Sequence, residues 1–230
     1  MKIYFIGDSL TKGVIGVSYV DFLKKKLSKY ELINLGKNGD TVISLYRRLR
    51  KISFDDPSDI AFIWVGTNDV LVNVSWTFPL IKMLFYQPWT SECKKFSECY
   101  SKLLDLLVIK LSKIFVVSPL FIGEDMNNNW NSKLNELSIN VEELSNQYNS
   151  VEFIDLRMVF SSKLNNKKIS KYIANSTILT IFDEFRYKSN MDYDELSRKR
   201  GLHYTIDGIH LNSDGAKVVS DVFLDKIYTI

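Results

Sequence analysis

The sequence is short of the residues that usually carry a metal site or a disulfide framework: 230 residues contain two histidines and two cysteines. A catalytic zinc takes three protein ligands. Asp207 and His210 could supply two, but no third or fourth His, Cys, Asp or Glu stands nearby at ligand spacing, so no metal is expected. Cys93 and Cys99 lie six residues apart on a stretch of helical pattern and cannot be read as a disulfide; free, partly buried thiols are expected. Four prolines and ten glycines form no linker tract and no internal repeat is visible, so 1–230 reads as one domain with room for a full core. Phosphate-binding loops are missing too. There is no Gly-x-Gly-x-x-Gly, and Gly7 to Gly13 is mis-spaced for a P-loop with Lys12 ahead of the glycine, so no nucleotide cofactor is indicated.

A net charge of +3 is too small to argue for nucleic acid. No uninterrupted apolar run reaches the length of a membrane span; Val70 to Trp89 comes closest and is broken by Asn73, Ser75, Pro79 and Lys82. The N-terminus lacks a charged region followed by a long apolar segment and a cleavage site. The expectation is a soluble cytoplasmic protein without stable membrane insertion. Nothing in the sequence sets an oligomeric state.

What the sequence does contain is a series of short apolar runs, each ending at a polar loop. Ile3–Ile6 stops at Gly7 and delivers Ser9 almost at the start of the chain, and the next helical pattern begins near Ser18. Tyr19, Phe22, Leu23 and Leu27 recur at helical spacing between lysines, which read as the solvated face. Leu32–Leu35 and Ile60–Val65 are further strands, ending in Gly36–Thr41 and Gly66–Asp69, with a helix through Val42, Leu45, Leu49 and Ile52 between them. Helices from about Ser91 to Leu111 and about Asn131 to Tyr148 lead to strands Ile114–Val117 and Val151–Ile154, and a last helix starts near Ser213. Strands alternating with helices predict βαβ units, a parallel sheet and a three-layer α/β/α sandwich. Two stretches, about 72–90 and about 160–205, are apolar and aromatic and break the alternation. They read either as lids over a crevice or as ordinary helices packed at the sheet edge.

Open α/β sheets place ligand crevices at the carboxyl ends of their strands, where Ser9 lies. A serine is a weak nucleophile alone and requires a base, an acid to orient that base, and donors for an oxyanion. Of the two histidines, His210 is the better placed, in Asp207-Gly208-Ile209-His210, where an acid three residues ahead can accept from the imidazole Nδ1–H. His203 reads as structural or solvent-exposed. The Gly39 backbone N–H, the Asn68 side-chain amide and the Ser9 backbone N–H are the candidate oxyanion donors. Asp8, Asp40 and Asp69 read as loop-pinning residues.

Gly7-Asp8-Ser9-Leu10, Gly39 before Asp40-Thr41, Gly66-Thr67-Asn68-Asp69 and Asp207-Gly208-Ile209-His210 occur in that order, and with them the chain resembles the SGNH, or GDSL-type, hydrolases. The resemblance runs from the first strand to the last helix, apart from the two inserts. It implies a flavodoxin-like, five-stranded parallel sheet, Ser9 as nucleophile, Gly39 and Asn68 as oxyanion donors, and Asp207 and His210 as the rest of a triad. It implies a small-molecule ester substrate and no cofactor. A small-ester or carbohydrate O-acetyl esterase is placed ahead of a lipase or lysophospholipase; an acyltransferase and a non-catalytic binding module on the same fold are the alternatives.

Overall fold

The computed structural model describes residues 1–54, 56–74, 77–84, 86–90, 92–173 and 192–230. Five strands, β1 (Lys2–Gly7), β2 (Glu31–Gly36), β3 (Ile60–Trp64), β4 (Lys113–Val117) and β5 (Val151–Ile154), form one parallel sheet in the order β2-β1-β3-β4-β5. The chain winds outward from β1 in both directions. That reversal puts a crevice at the carboxyl ends of β1 and β3.

Alternation along the strands sends side chains to two faces. Ile3, Phe5, Phe62, Trp64, Phe115 and Val117 belong to one core cluster, Tyr4, Ile6, Ala61, Ile63, Ile114 and Val116 to the other. On the first face pack α2 (Tyr19–Lys26), α8 (Leu156–Leu164) and α10 (Ser213–Ile227), through Tyr19, Leu23, Phe160 and Phe223. On the second pack α3 (Val42–Leu49), α6 (Cys93–Val108) and α7 (Asn129–Ser145), through Leu45, Leu49, Leu103, Leu107, Leu134 and Val141. Helices on both faces make the expected three-layer sandwich. The first face is held by aromatic stacking: Phe62 lies 4.4 Å from Phe223 and 4.7 Å from Phe115, centroid to centroid. Truncating a ring at such a position costs about 3–5 kcal/mol.

The helix boundaries run short of expectation by a turn or less. α6 starts at Cys93 and ends at Val108, and α7 starts two residues early and ends at Ser145. Besides the helix of the first insert, three short helices complete the described chain: α1 (Ser9–Lys12), α4 (Thr67–Leu71) and α9 (Tyr193–Lys199). The first insert contains α5 (Thr77–Leu84), which buries Phe78 and Lys82 and exposes Leu80, Met83 and Leu84. Trp76 and Phe85 lie outside the described residues, as does 174–191 of the second insert, with Phe182, Phe185 and Tyr187. Around that gap, α8 runs up to Leu164, and Leu196 of α9 packs with Ile15 and Ile206 in a small cluster of its own.

Candidate active site

Ser9 is not in an open loop but is the first residue of the one-turn helix α1, because Asp8 accepts from the Leu10 N–H (2.9 Å) and caps the turn directly after β1. The turn then lies across the end of β2. A Cβ on Gly36 would stand 2.2 Å from the Lys12 nitrogen, so only glycine permits that approach. Ser9 retains 8% of its surface and His210 6%, so both are nearly but not fully withdrawn from solvent.

His210 approaches from the loop before α10. Its Nε2 is 3.1 Å from Ser9 Oγ, and its Nδ1 is 2.6 Å from Asp207 Oδ2. A carboxylate on Nδ1 selects the tautomer with the proton there and leaves the Nε2 lone pair facing the hydroxyl. The other Asp207 oxygen accepts the Ile209 and His210 N–H groups at 2.9 and 2.7 Å. One carboxylate thus folds the turn and orients the ring on it. Burial raises the Asp207 pKa, but the His210 charge and these hydrogen bonds outweigh it and hold the carboxyl below the usual carboxylate range. The loop is closed by the Ile206 N–H on the His210 carbonyl (2.8 Å), and Asn212 caps α10 by accepting from the Gly215 N–H.

Asn68 sits on α4 after β3 and donates its amide to Asp8 Oδ2 at 3.0 Å. Gly39 is in the β2–α3 turn with φ +74°. This turn is tied to the serine strand by the Lys37 N–H on the Gly7 carbonyl (3.0 Å), and Arg48 donates to the Gly7 and Leu35 carbonyls. The structure therefore brings Ser9, Asp207 and His210 into one hydrogen-bonded chain and joins Asn68 to the cap of the serine turn. Gly39 follows the neighbouring strand end.

The three aspartates pin loops. Asp40 accepts from Ser44 Oγ and Arg48 Nε, and Asp69 accepts from the Val42 N–H. Burial pushes Asp8 up to about 6, against the Leu10 amide, the His210 charge and Asn68, and pushes Asp69 up to about 8. The His203 ring meets the Lys168 carbonyl at 3.0 Å, a structural role. Cys93 and Cys99 are free thiols. Among the described residues no group of three or more His, Cys, Asp or Glu could hold a metal ion, and no helix is long and apolar enough to cross a membrane.

Several residues around this site carry no motif. Glu124, Arg48, Lys82 and Gln87 all bond to its loops from far along the chain. Only Lys82, a single charge inside the apolar run Phe78–Leu84, leaves a sequence signal.

Residues 5–218 match the model of the GDSL-like lipase/acylhydrolase family. No curated protein matches the chain. Among solved structures it is similar to the acetyl xylan esterase AlAXEase, with 22% identity, a TM-score of 0.67 and coverage of 99% of this chain and 100% of that one. The acetylxylan esterase Axe2 from Geobacillus stearothermophilus is 18% identical, with a TM-score of 0.66 over 98% of this chain and 93% of its own. LAE5, an alpha/beta hydrolase enzyme from the metagenome of Lake Arreo, Spain, is 17% identical, with a TM-score of 0.67 over 97% and 93%. At these identities the likeness is one of fold.

Proposed function

The chain belongs to the GDSL-like lipase/acylhydrolase family and is a serine carboxylic ester hydrolase, and from that premise we propose that Ser9, His210 and Asp207 carry the reaction on a small acyl ester, with an O-acetyl group on a carbohydrate as the preferred substrate. The observation that carries the reading is the hydrogen-bonded chain from Ser9 Oγ through His210 to Asp207, 3.1 and 2.6 Å long.

In this reading His210 Nε2 removes the Ser9 proton as Oγ attacks the ester carbonyl. The carbonyl oxygen takes negative charge and is met by the Ser9 and Gly39 N–H groups and by the Asn68 amide, of which one N–H is engaged by Asp8. The carbon–oxygen bond to the alcohol breaks as His210 returns its proton to the leaving oxygen. Water, deprotonated by the same ring, then attacks the acyl-serine and releases the acid and free Ser9. The imidazolium formed in each half is stabilised by Asp207, kept anionic by its hydrogen bonds.

The carbohydrate preference is supported by the acetyl xylan esterases among the neighbours in fold. A longer-acyl reading rests on the exposed Leu80, Met83 and Leu84 of α5. Both are tested by hydrolysis of nitrophenyl esters from acetate to palmitate and by acetate release from acetylated xylo-oligosaccharides, with wild type beside Ser9→Ala. Turnover confined to short acyl groups, with acetate released from the sugar and both lost in Ser9→Ala, is expected. Preference for long chains transfers the assignment to a lipase-like enzyme, and turnover retained by Ser9→Ala removes the mechanism.

A further inference from the structure

We propose that the first insert is a clamp on the oxyanion turn, with Lys82 and Gln87 as positioning residues that fix the direction of the Gly39 N–H; this rests on the reading of Gly39 as an oxyanion donor. Gln87 donates from Nε2 to the Asn38 carbonyl at 3.0 Å. That carbonyl and the Gly39 N–H belong to one planar peptide unit and point in opposite directions. A donor on the oxygen therefore sets where the N–H points and polarises it, since hydrogen bonds in a chain strengthen one another.

Lys82 acts on the next peptide. Its Nζ donates to the Gly39 carbonyl, and it also reaches Gln87 Oε1 at 3.3 Å, which turns the glutamine amide so that its nitrogen faces Asn38. Burial lowers the Lys82 pKa to about 8, against the pull of Asp69, Asp8 and Asp40 toward its charged form. The two side chains fill the space beside the glycine. A Cβ at Gly39 would stand 2.6 Å from Gln87 Oε1 and 3.2 Å from Lys82 Nζ.

The end of α5 is built to bring these two side chains together. The Gln87 N–H bonds the Lys82 carbonyl (2.8 Å) and the Tyr86 N–H the Met83 carbonyl (3.1 Å), the paired bonds of a Schellman turn. Such a turn needs a left-handed residue between them, and Tyr86 supplies it at φ +50° although 94% of its surface is exposed. Beyond the turn the Pro88 carbonyl accepts from Thr41 Oγ1, so the insert grips the Gly39 turn at three places, Asn38, Gly39 and Thr41.

The test compares wild type with Gln87→Ala, Gln87→Glu, Lys82→Met and Lys82→Arg, reading kcat and KM on nitrophenyl acetate, Tm, and hydrogen exchange at the Asp40 amide, which bonds Lys37 within the turn. Gln87→Ala, Gln87→Glu and Lys82→Met are expected to lower kcat by about 10-fold or more with KM within about twofold, since losing an oxyanion donor outright costs 10²–10³-fold and these variants only misdirect one. Exchange at Asp40 rises in the same variants at unchanged Tm. Lys82→Arg, which keeps a cationic donor, restores both readouts toward wild type. Wild-type kcat and exchange in both Gln87 variants overturn the proposal, as does a loss that follows Tm or appears in KM alone. Absence of esterase activity in wild type sinks the assignment of Ser9 instead, and Asp40 exchange then decides whether the insert holds the turn.

Discussion

Asp8 and Asn68 are joined by a 3.0 Å hydrogen bond from the asparagine amide to Oδ2, while the other Asp8 oxygen caps the turn that begins with Ser9. One carboxylate therefore sets the distance between the candidate nucleophile and a candidate oxyanion donor 60 residues further along, on α4 after β3. Replacing Asp8 by Asn keeps a carbonyl for the Leu10 N–H but turns an amide donor toward the Asn68 donor. The expected result is a kcat lower by about 10- to 100-fold with little change in KM, because the misplaced amide serves the transition state rather than the bound ester. Unchanged kcat in a folded Asp8→Asn protein would mean that Asn68 is held without Asp8.

Asp207→Asn isolates the role of the acid. An amide oxygen can still accept the Ile209 and His210 N–H groups and keep the turn, but an amide nitrogen opposite Nδ1 favours the wrong tautomer. A loss of about 10³- to 10⁴-fold in kcat is expected at near-wild-type Tm, the magnitude seen when a triad acid is neutralised in place. A loss below tenfold would show that the ring is oriented by something other than this carboxylate.

The inner strands β1, β3 and β4 were readable because they are buried on both faces of a parallel sheet and so appear as continuous apolar runs; Ile60–Trp64 is buried at every position, whereas the edge strands β2 and β5 are only partly buried and show shorter runs. Ser9, Asn68 and Asp207–His210 were readable because each lies within a few residues of such a strand end or of a helix cap. Helix α1 was not, since four residues carry no period, and its cap depends on one aspartate rotamer. Gln87, Arg48 and Glu124 were not readable, and Lys82 only as a charge inside an apolar run, for a different reason. Each acts on backbone carbonyls or amides of a segment 13 to 81 residues away, and those pairings exist only once the sheet and its loops are assembled.

Asp69 gives a pH signature. Its Oδ2 accepts from Val42, its Oδ1 has no hydrogen-bond partner among the described residues, and burial raises its pKa to about 8. A raised pKa means that the folded state holds the proton more tightly than the unfolded chain, so this group's contribution to stability is present at low pH and is lost as pH climbs from about 4 through about 8. Asp69→Asn keeps an acceptor for Val42 and removes the titration. Urea midpoints at pH 5, 6.5 and 8 should therefore move in favour of the variant as pH rises, by about 1 kcal/mol or more across the series. Parallel pH profiles for the two proteins would place the titration elsewhere.

Glu124 tests whether the loop carrying the base is held from outside itself. It follows β4, is almost fully buried, and receives the N–H groups of His203, Tyr204 and Thr205 at 2.7, 2.8 and 2.9 Å and the Thr205 hydroxyl at 2.8 Å. A carboxylate matches four donors because it only accepts. Glu124→Gln substitutes one accepting oxygen by an amide nitrogen facing an N–H, and an unfilled buried donor costs about 1–3 kcal/mol. The loop released lies two residues ahead of Asp207, so the unfolding midpoint and kcat should fall together in Glu124→Gln and fall further in Glu124→Ala. That coupled loss differs from the kcat-only effect expected for Gln87. A midpoint that drops while kcat stays at the wild-type value would show that the Asp207 turn, with its own two amide bonds, keeps His210 in place unaided.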